Sequence, residues 1–256
     1  MTERIFSHAV ALDQSGRLKN TIYCQDRTVF ILNGENTVML RFSLLKHQNP
    51  FQHPLSFKAN DYEPGKLHEK DGYVIFTKSG NEFTRSKCCK TPERTFQDVE
   101  KIWAGLVGPT HSTFTVHKSS LALLEEGLSH LEFKSNNGSL EIIQRDIFSG
   151  TTITLTRNQS GLGLVKQDHI SKPFGPVGIR TNDFMALYSF QDLIEFGVPD
   201  RPGFLTLKAG NMEGIIALCL YDEIGIIEEV KSGGEKSEDR GSQSCPNRPP
   251  SRRQAL

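Results

Sequence analysis

The sequence predicts an α+β protein, with antiparallel sheets backed by a few helices and a disordered C-terminal tail. Three observations predict it. Four stretches place two β-rich runs around a turn signal, which is the grammar of hairpins and not of βαβ units. Three further stretches repeat apolar residues at helical spacing. From Lys231 the chain is rich in Ser, Gly, Pro and charge and offers almost nothing to bury.

The elements follow in chain order. TVFILNGENTVMLRFSLL, residues 28–45, pairs two β-rich runs around Asn33-Gly34. In its second run Val38, Leu40, Phe42 and Leu44 alternate with Met39, Arg41 and Ser43, which makes one face continuously apolar. Residues 72–84, GYVIFTKSGNEFT, turn at Ser79-Gly80-Asn81. PERTFQDVEKIWAGL, residues 92–106, reads as a helix with Thr91 as N-cap and Pro92 at its first position. Its Phe96, Val99, Ile102, Trp103 and Leu106 form the apolar stripe. HKSSLALLEEGLSHLEF, residues 117–133, reads as a second helix on Leu121, Leu124, Leu128 and Leu131. Residues 139–158 alternate around Phe148-Ser149-Gly150 as a hairpin. DFMALYSFQDLIEF, residues 183–196, reads as a third helix capped by Asn182, with Phe184, Leu187, Tyr188 and Phe190 facing inward. Residues 203–220 form the last hairpin, turning at Ala209-Gly210-Asn211.

Composition excludes several function classes. Thirty basic residues balance thirty acidic ones, so contact with nucleic acid has to come from a local patch. No apolar run is long enough for a membrane span, and the first residues lack the apolar block of a signal peptide. Cys24 and Cys219 lie in strand-like apolar runs and read as reduced buried thiols. Cys88 and Cys89, between Lys87 and Lys90, read as part of a solvated loop; a thiol activated by those lysines is the alternative. No CxxC spacing points to zinc.

Candidates for chemistry are sparse. His47 and His53, around Pro50, are too loosely spaced for a metal pair and read as loop residues. Ser160–Leu164, SGLGL, reads as a β-turn and not as a phosphate cradle. Glu125 and Glu126 point to different sides of their helix. Asp222, Glu223, Glu228 and Glu229 cluster after the last strand, as a charged edge or an acidic metal site. No cofactor is implied.

The stretch 183–220 resembles the end of the second clamp domain in the Rad-nine family, a subunit of the heterotrimeric DNA-damage checkpoint clamp. A phenylalanine-bearing helix, here Asp183–Phe190, precedes a Pro-Gly turn, here Val198-Pro199-Asp200-Arg201-Pro202-Gly203. The order of that turn is permuted from the family pattern. FLTLK at 204–208 and GIIALCL at 214–220 resemble the closing strands. Residues 114–130 and 139–158 resemble the opening of the same domain, and NGENTVMLRFSLLKHQNPFQHPLSF, 33–57, the close of a first domain ending in His53-Pro54-Leu55-Ser56-Phe57.

The resemblance implies a DNA-clamp fold with one complete and one incomplete clamp domain. Residues 1–60 would be the partial first domain, 61–111 a charged connector or insertion, 112–230 the second domain and 231–256 the tail. It implies a non-catalytic nuclear subunit that encircles double-stranded DNA without reading its sequence. Its partners would be Rad-one-like and Hus-one-like clamp subunits, a clamp loader and a BRCT-domain adaptor bound through a phosphorylated tail. His117, Lys118, Lys134 and Arg180 are the DNA-facing candidates. Ser237, Ser242 and Ser244 are the phosphorylation candidates. A metal-dependent 3'-5' exonuclease using Asp222, or a β-rich adaptor unrelated to DNA, are the alternatives.

Overall fold

In the computed structural model, residues 2–9, 12, 20–79, 84–90, 92–124, 128–136, 139–146, 152–156, 169–170, 173–200 and 203–219 are described. The predicted tail, SGLGL, Glu125–Glu126 and Asp222, Glu223, Glu228 and Glu229 lie outside them.

The chain opens with helix α1 (Thr2–Ala9), whose Ile5, Phe6 and Ala9 are buried while Glu3, Arg4 and Ser7 are exposed. An antiparallel meander follows: β1 (Thr21–Asp26), β2 (Thr28–Leu32) and β3 (Val38–Ser43). β4 (Phe51–Lys58) returns to pair with the free side of β1. Pro54 cannot donate to a ladder, and it sits where the β1–β4 register slips between Cys24 and Asp26. His53 therefore lies on a strand, although its proline neighbours read as a loop. The turn between β2 and β3 is wider than a two-residue Asn-Gly hairpin. The Asn33 side chain accepts from the backbone N–H groups of Thr37 (2.8 Å) and Val38 (2.9 Å), and Asn36 takes the left-handed position at φ 58°.

The connector is more ordered than its charge suggests. β5 (Lys66–Lys70), β6 (Tyr73–Ser79) and β7 (Thr84–Lys90) form a three-stranded sheet. Asp71 and Gly72, at φ 52° and 77°, are the paired left-handed residues of a tight Asp-Gly turn. That signal identifies β5, a strand that the charges of KLHEK conceal. Cys88 and Cys89 pair through their backbones with β6, so they belong to a strand and not to a loop.

Helix α2 (Phe96–Leu106) begins at Thr95, later than the Thr91-Pro92 signal predicts. Thr95 and Asp98 form a reciprocal capping box that satisfies the first free N–H groups at this point. Phe96, Val99 and Trp103 are buried, whereas Ile102 and Leu106 of the predicted stripe are exposed.

The rest builds two sheets. β8 (Thr110–His117) leads into a short 3-10 turn (Lys118–Leu123), where the sequence predicts a long helix. β9 (His130–Asn136) starts inside the predicted helix. There Leu131, Phe133 and Ser135 face the core at a period of two, while of the residues on the other face His130 and Lys134 are half-buried and Glu132 is buried where it pairs with Arg145, so strand pairing overrides the leucine spacing. β10 (Ser139–Arg145), β11 (Thr152–Thr156), β12 (His169–Ile170) and β13 (Phe174–Arg180) follow. Helix α3 (Thr181–Leu187) has Arg180, not Asn182, at its N-cap and stops well before Phe196. Ile194, Phe196 and Val198 are buried in a strand, β14 (Leu193–Pro199). β15 (Phe204–Ala209) and β16 (Met212–Ala217) close the chain as the predicted hairpin, with Gly210 at φ 58° in its turn.

Every ladder is antiparallel. Nine strands run β12-β8-β14-β15-β16-β3-β2-β1-β4, and four run β11-β10-β9-β13. A helix followed by a three-strand meander thus occurs twice, as α1-β1-β2-β3 and as α3-β14-β15-β16. The two copies meet through their equivalent last strands, β3 and β16, in antiparallel register from Met212↔Phe42 to Ile216↔Val38. The main core lies between the large sheet and the two smaller ones and under α1 and α3, with Val74 and Phe76 of β6 in it beside Phe57. Phe114 stacks on Phe133 at 5.0 Å and on Phe196 at 5.4 Å, and Phe184 packs on Phe196 at 5.5 Å. The buried Tyr188 hydroxyl donates to the Val116 carbonyl at 3.1 Å, and burial pushes its pKa up, so it remains a neutral phenol. α2 packs on the opposite face of the large sheet, over Tyr23, Phe30, Met39 and Ile215.

Candidate nucleic-acid interface

Period-two strands send alternate residues to opposite faces, and this sorts the four predicted DNA-facing residues. Lys134 lies on β9, opposite in alternation to the core residues Leu131, Phe133 and Ser135. It is therefore on the outer face of the small sheet, away from the helices, and pairs with Glu141 on β10 at 2.8 Å. His117 ends β8. Its Nδ1 accepts from the Ser119 N–H at 3.1 Å and lies 2.9 Å from the Ser119 Oγ, so the imidazole caps the 3-10 turn.

Lys118 is exposed in that turn. Its Nζ lies 3.5 Å from Asp192, with both side chains more than half exposed. Its backbone N–H donates to the Asp192 carbonyl at 2.7 Å, which ties the turn to the loop after α3. Arg180 sits at the α3 N-cap with its guanidinium engaged on several sides. It donates to Asp183 Oδ2 (2.7 Å), donates to Thr37 Oγ1 (2.7 Å) and pairs with Glu35. Thr37 in turn donates to Asp183 at 2.9 Å. This network joins α3 to the β2–β3 turn and fastens together the two meander copies.

The structure brings Lys118 and the exposed surfaces of α1 and α3 to the helix side of the large sheet. His8 of α1 meets Phe190, just beyond α3, at a centroid distance of 5.8 Å. On this side the outward residues are Glu3, Arg4 and Ser7 of α1, Asn182 and Met185 of α3, and Lys118. Sequence reasoning missed Arg4. The signal was the spacing of Ile5, Phe6 and Ala9, which turns Glu3, Arg4 and Ser7 outward. Among the described residues no three His, Cys, Asp or Glu side chains converge on a metal-sized site. Cys24 is fully buried, and burial pushes its thiol well up, leaving an unreactive packing residue. No described helix is long and apolar enough to cross a membrane. Ser237, Ser242 and Ser244 lie outside the described residues.

No protein-family model matches the chain, and no curated protein matches it in sequence. Solved structures do. A PCNA2–PCNA3 complex from Sulfolobus tokodaii matches with a TM-score of 0.54 at 12% identity, over 84% of this chain and 96% of that one. The beta chain of DNA polymerase III from Streptococcus pneumoniae matches with a TM-score of 0.59 at 8% identity, over 85% of this chain and 63% of that one. The proliferating cellular nuclear antigen of Entamoeba histolytica matches with a TM-score of 0.51 at 11% identity, over 85% of this chain and 96% of that one.

The chain has the DNA-clamp fold. Within that fold β8-β14-β15-β16 and β11-β10-β9-β13 are the paired sheets of one complete clamp domain, and α1 with β1–β4 forms an incomplete one. In the incomplete domain β4 fills the place beside β1 that β8 fills beside β14.

Proposed function

We propose that this chain is a non-catalytic subunit of a checkpoint clamp of the Rad-nine type, encircling duplex DNA in the nucleus without reading its sequence. The clamp fold carries the proposal: antiparallel sheets, with α1 and α3 on one face of the largest, match solved clamp structures at 12% identity or less. The resemblance of 183–220 to the close of a Rad-nine domain narrows the class. Encirclement needs shape and a few phosphate contacts, and Arg4 and Lys118 on the helix side can supply such contacts. The partners are Rad-one-like and Hus-one-like clamp subunits, a clamp loader and a BRCT-domain adaptor bound by the tail once Ser237, Ser242 or Ser244 is phosphorylated.

Co-expression with those two subunits tests the proposal. A stable complex that a loader retains on circular DNA, and that slides off when the circle is cut, is the expected result. A chain that recovers neither subunit, or that binds linear and circular DNA alike, overturns it.

A further inference from the structure

The chain repeats one plan: a lead strand, a helix or 3-10 turn, and a three-strand meander. β8, the 3-10 turn Lys118–Leu123 and β9-β10-β11 follow it, and so do β13, α3 and β14-β15-β16. β4, a 3-10 turn (Ala59–Asp61) and β5-β6-β7 follow it as well, so the charged stretch before α2 repeats the same plan. This meander also stands on the core. Phe76 of β6 meets Phe57 of β4 at 5.2 Å, where Phe133 of β9 stacks on Phe114 of β8 at 5.0 Å.

The lead strands obey a pairing rule. Each lies antiparallel against the first strand of another meander: β8 against β14, β4 against β1 and β13 against β9. Each also sets a large apolar residue opposite another, with both partners buried: Phe114 opposite Phe196, Phe57 opposite Ile22 and Ile179 opposite Leu131. β5 opens the remaining meander, and among the described residues no strand lies on its free side. Leu67 of β5 holds the position of Phe196, Ile22 and Leu131. It stands opposite Phe76 on the β5–β6 ladder and packs against the main core, yet it is only half-buried.

The charges of β5 determine what kind of strand fits there. Lys66, His68 and Lys70 alternate with Leu67, so they lie on the face away from the core, and all three are exposed. Among the described residues no acidic side chain pairs with them. Lysines on an edge strand repel another basic edge and so deter indiscriminate pairing. Opposite charges across a ladder attract, so this edge selects an acidic strand.

We propose that the free side of β5 is a strand-acceptor site for an extended acidic segment of a partner protein. The segment lies antiparallel to β5, sets a large apolar residue opposite Leu67 and places acidic residues opposite Lys66, His68 and Lys70. The backbone ladder supplies affinity, the apolar contact sets the register and the charges choose the partner. The inference rests on strand order and holds whether or not the chain encircles DNA.

A synthetic probe, Glu-Thr-Glu-Phe-Glu flanked by glycines, tests it on the full chain. At saturating probe the β5 amides should exchange at least about fivefold more slowly, with those of β8 unchanged. A probe N-methylated along its backbone keeps the charges but cannot donate to a ladder, and it should bind at least about tenfold more weakly. Lys66→Glu combined with Lys70→Glu should weaken the first probe about tenfold and favour Lys-Thr-Lys-Phe-Lys instead. Unprotected β5 amides, or equal binding of the N-methylated probe, overturn the proposal. Protection of β5 by a single-stranded oligonucleotide and not by the probe overturns it in favour of a nucleic-acid surface. If the double variant loses its native far-ultraviolet dichroism, the wild-type measurements decide alone.

Discussion

Arg180 and Arg41 both form ion pairs that join the two meander copies, and their surroundings make them unequal. Arg41 and Glu213, 3.1 Å apart, are 35% and 45% exposed, so water screens the attraction. Arg180 faces Asp183, whose side chain is 10% exposed, and it bonds Thr37 as well. Arg180→Ala leaves that carboxylate short of partners and should cost about 2 kcal/mol, whereas Arg41→Ala should cost under about 1 kcal/mol. Urea unfolding midpoints compare the two directly. His130 supplies the pH test. Partial burial lowers its pKa from the ordinary imidazole value, outweighing the attraction of Glu132 and Asp146. The unfolded chain then binds the proton more readily than the folded one. Its contribution to stability is complete above the unfolded pKa of about 6.5 and is lost as pH falls through the depressed folded value. His130→Gln should flatten the slope of stability against pH just below 6.5 relative to wild type.

Among elements, the β3–β16 seam depends on a glycine. A Cβ on Gly214 would come within 2.7 Å of both Leu207 and Leu40, which flank it on β15 and β3. Both leucines are buried and have little room to turn away. Gly214→Ala should destabilise the fold by about 1–3 kcal/mol through overpacking, read as a lowered thermal midpoint. The hairpins were legible in sequence because turn chemistry and alternation agree, as at Gly210 and along Val38 to Leu44. The predicted helix of residues 117–133 was not, since leucines at 121, 124, 128 and 131 fit a helical stripe by spacing alone. Phe133 instead sits beside Ile142 on the neighbouring strand and stacks on Phe114 across the core, with Leu131 buried on the same face, and that burial outweighs the weak local preference. α3 is short for the same reason, because Ile194 and Phe196 gain more by pairing with β8.

For the whole molecule, the proposed encirclement of DNA makes a prediction about which cations contact phosphate. Lys134 lies on the sheet side and Arg180 is held by neighbouring acids, while Arg4 and Lys118 are exposed on the helix side. Each phosphate contact contributes about 0.9 to the slope of log affinity against log salt. Arg4→Ala and Lys118→Ala should each lower that slope by about one, and Lys134→Ala should leave it unchanged. Fluorescence anisotropy on duplex DNA over a salt series separates the two groups. The composition by itself points to no nucleic-acid interface, because thirty positive and thirty negative charges cancel globally.

The sequence by itself determined the antiparallel class, the presence of the hairpins and the apolar side of most strands, because these follow from local turn chemistry and a period of two. It also carried the short motifs through which the clamp resemblance was recognised. Tertiary structure alone decided that β3 and β16 join, that β4 completes the partial domain and that α2 lies on the outer face. Such pairings depend on which edges and apolar faces remain uncovered once the whole chain has folded, and no local window contains that information.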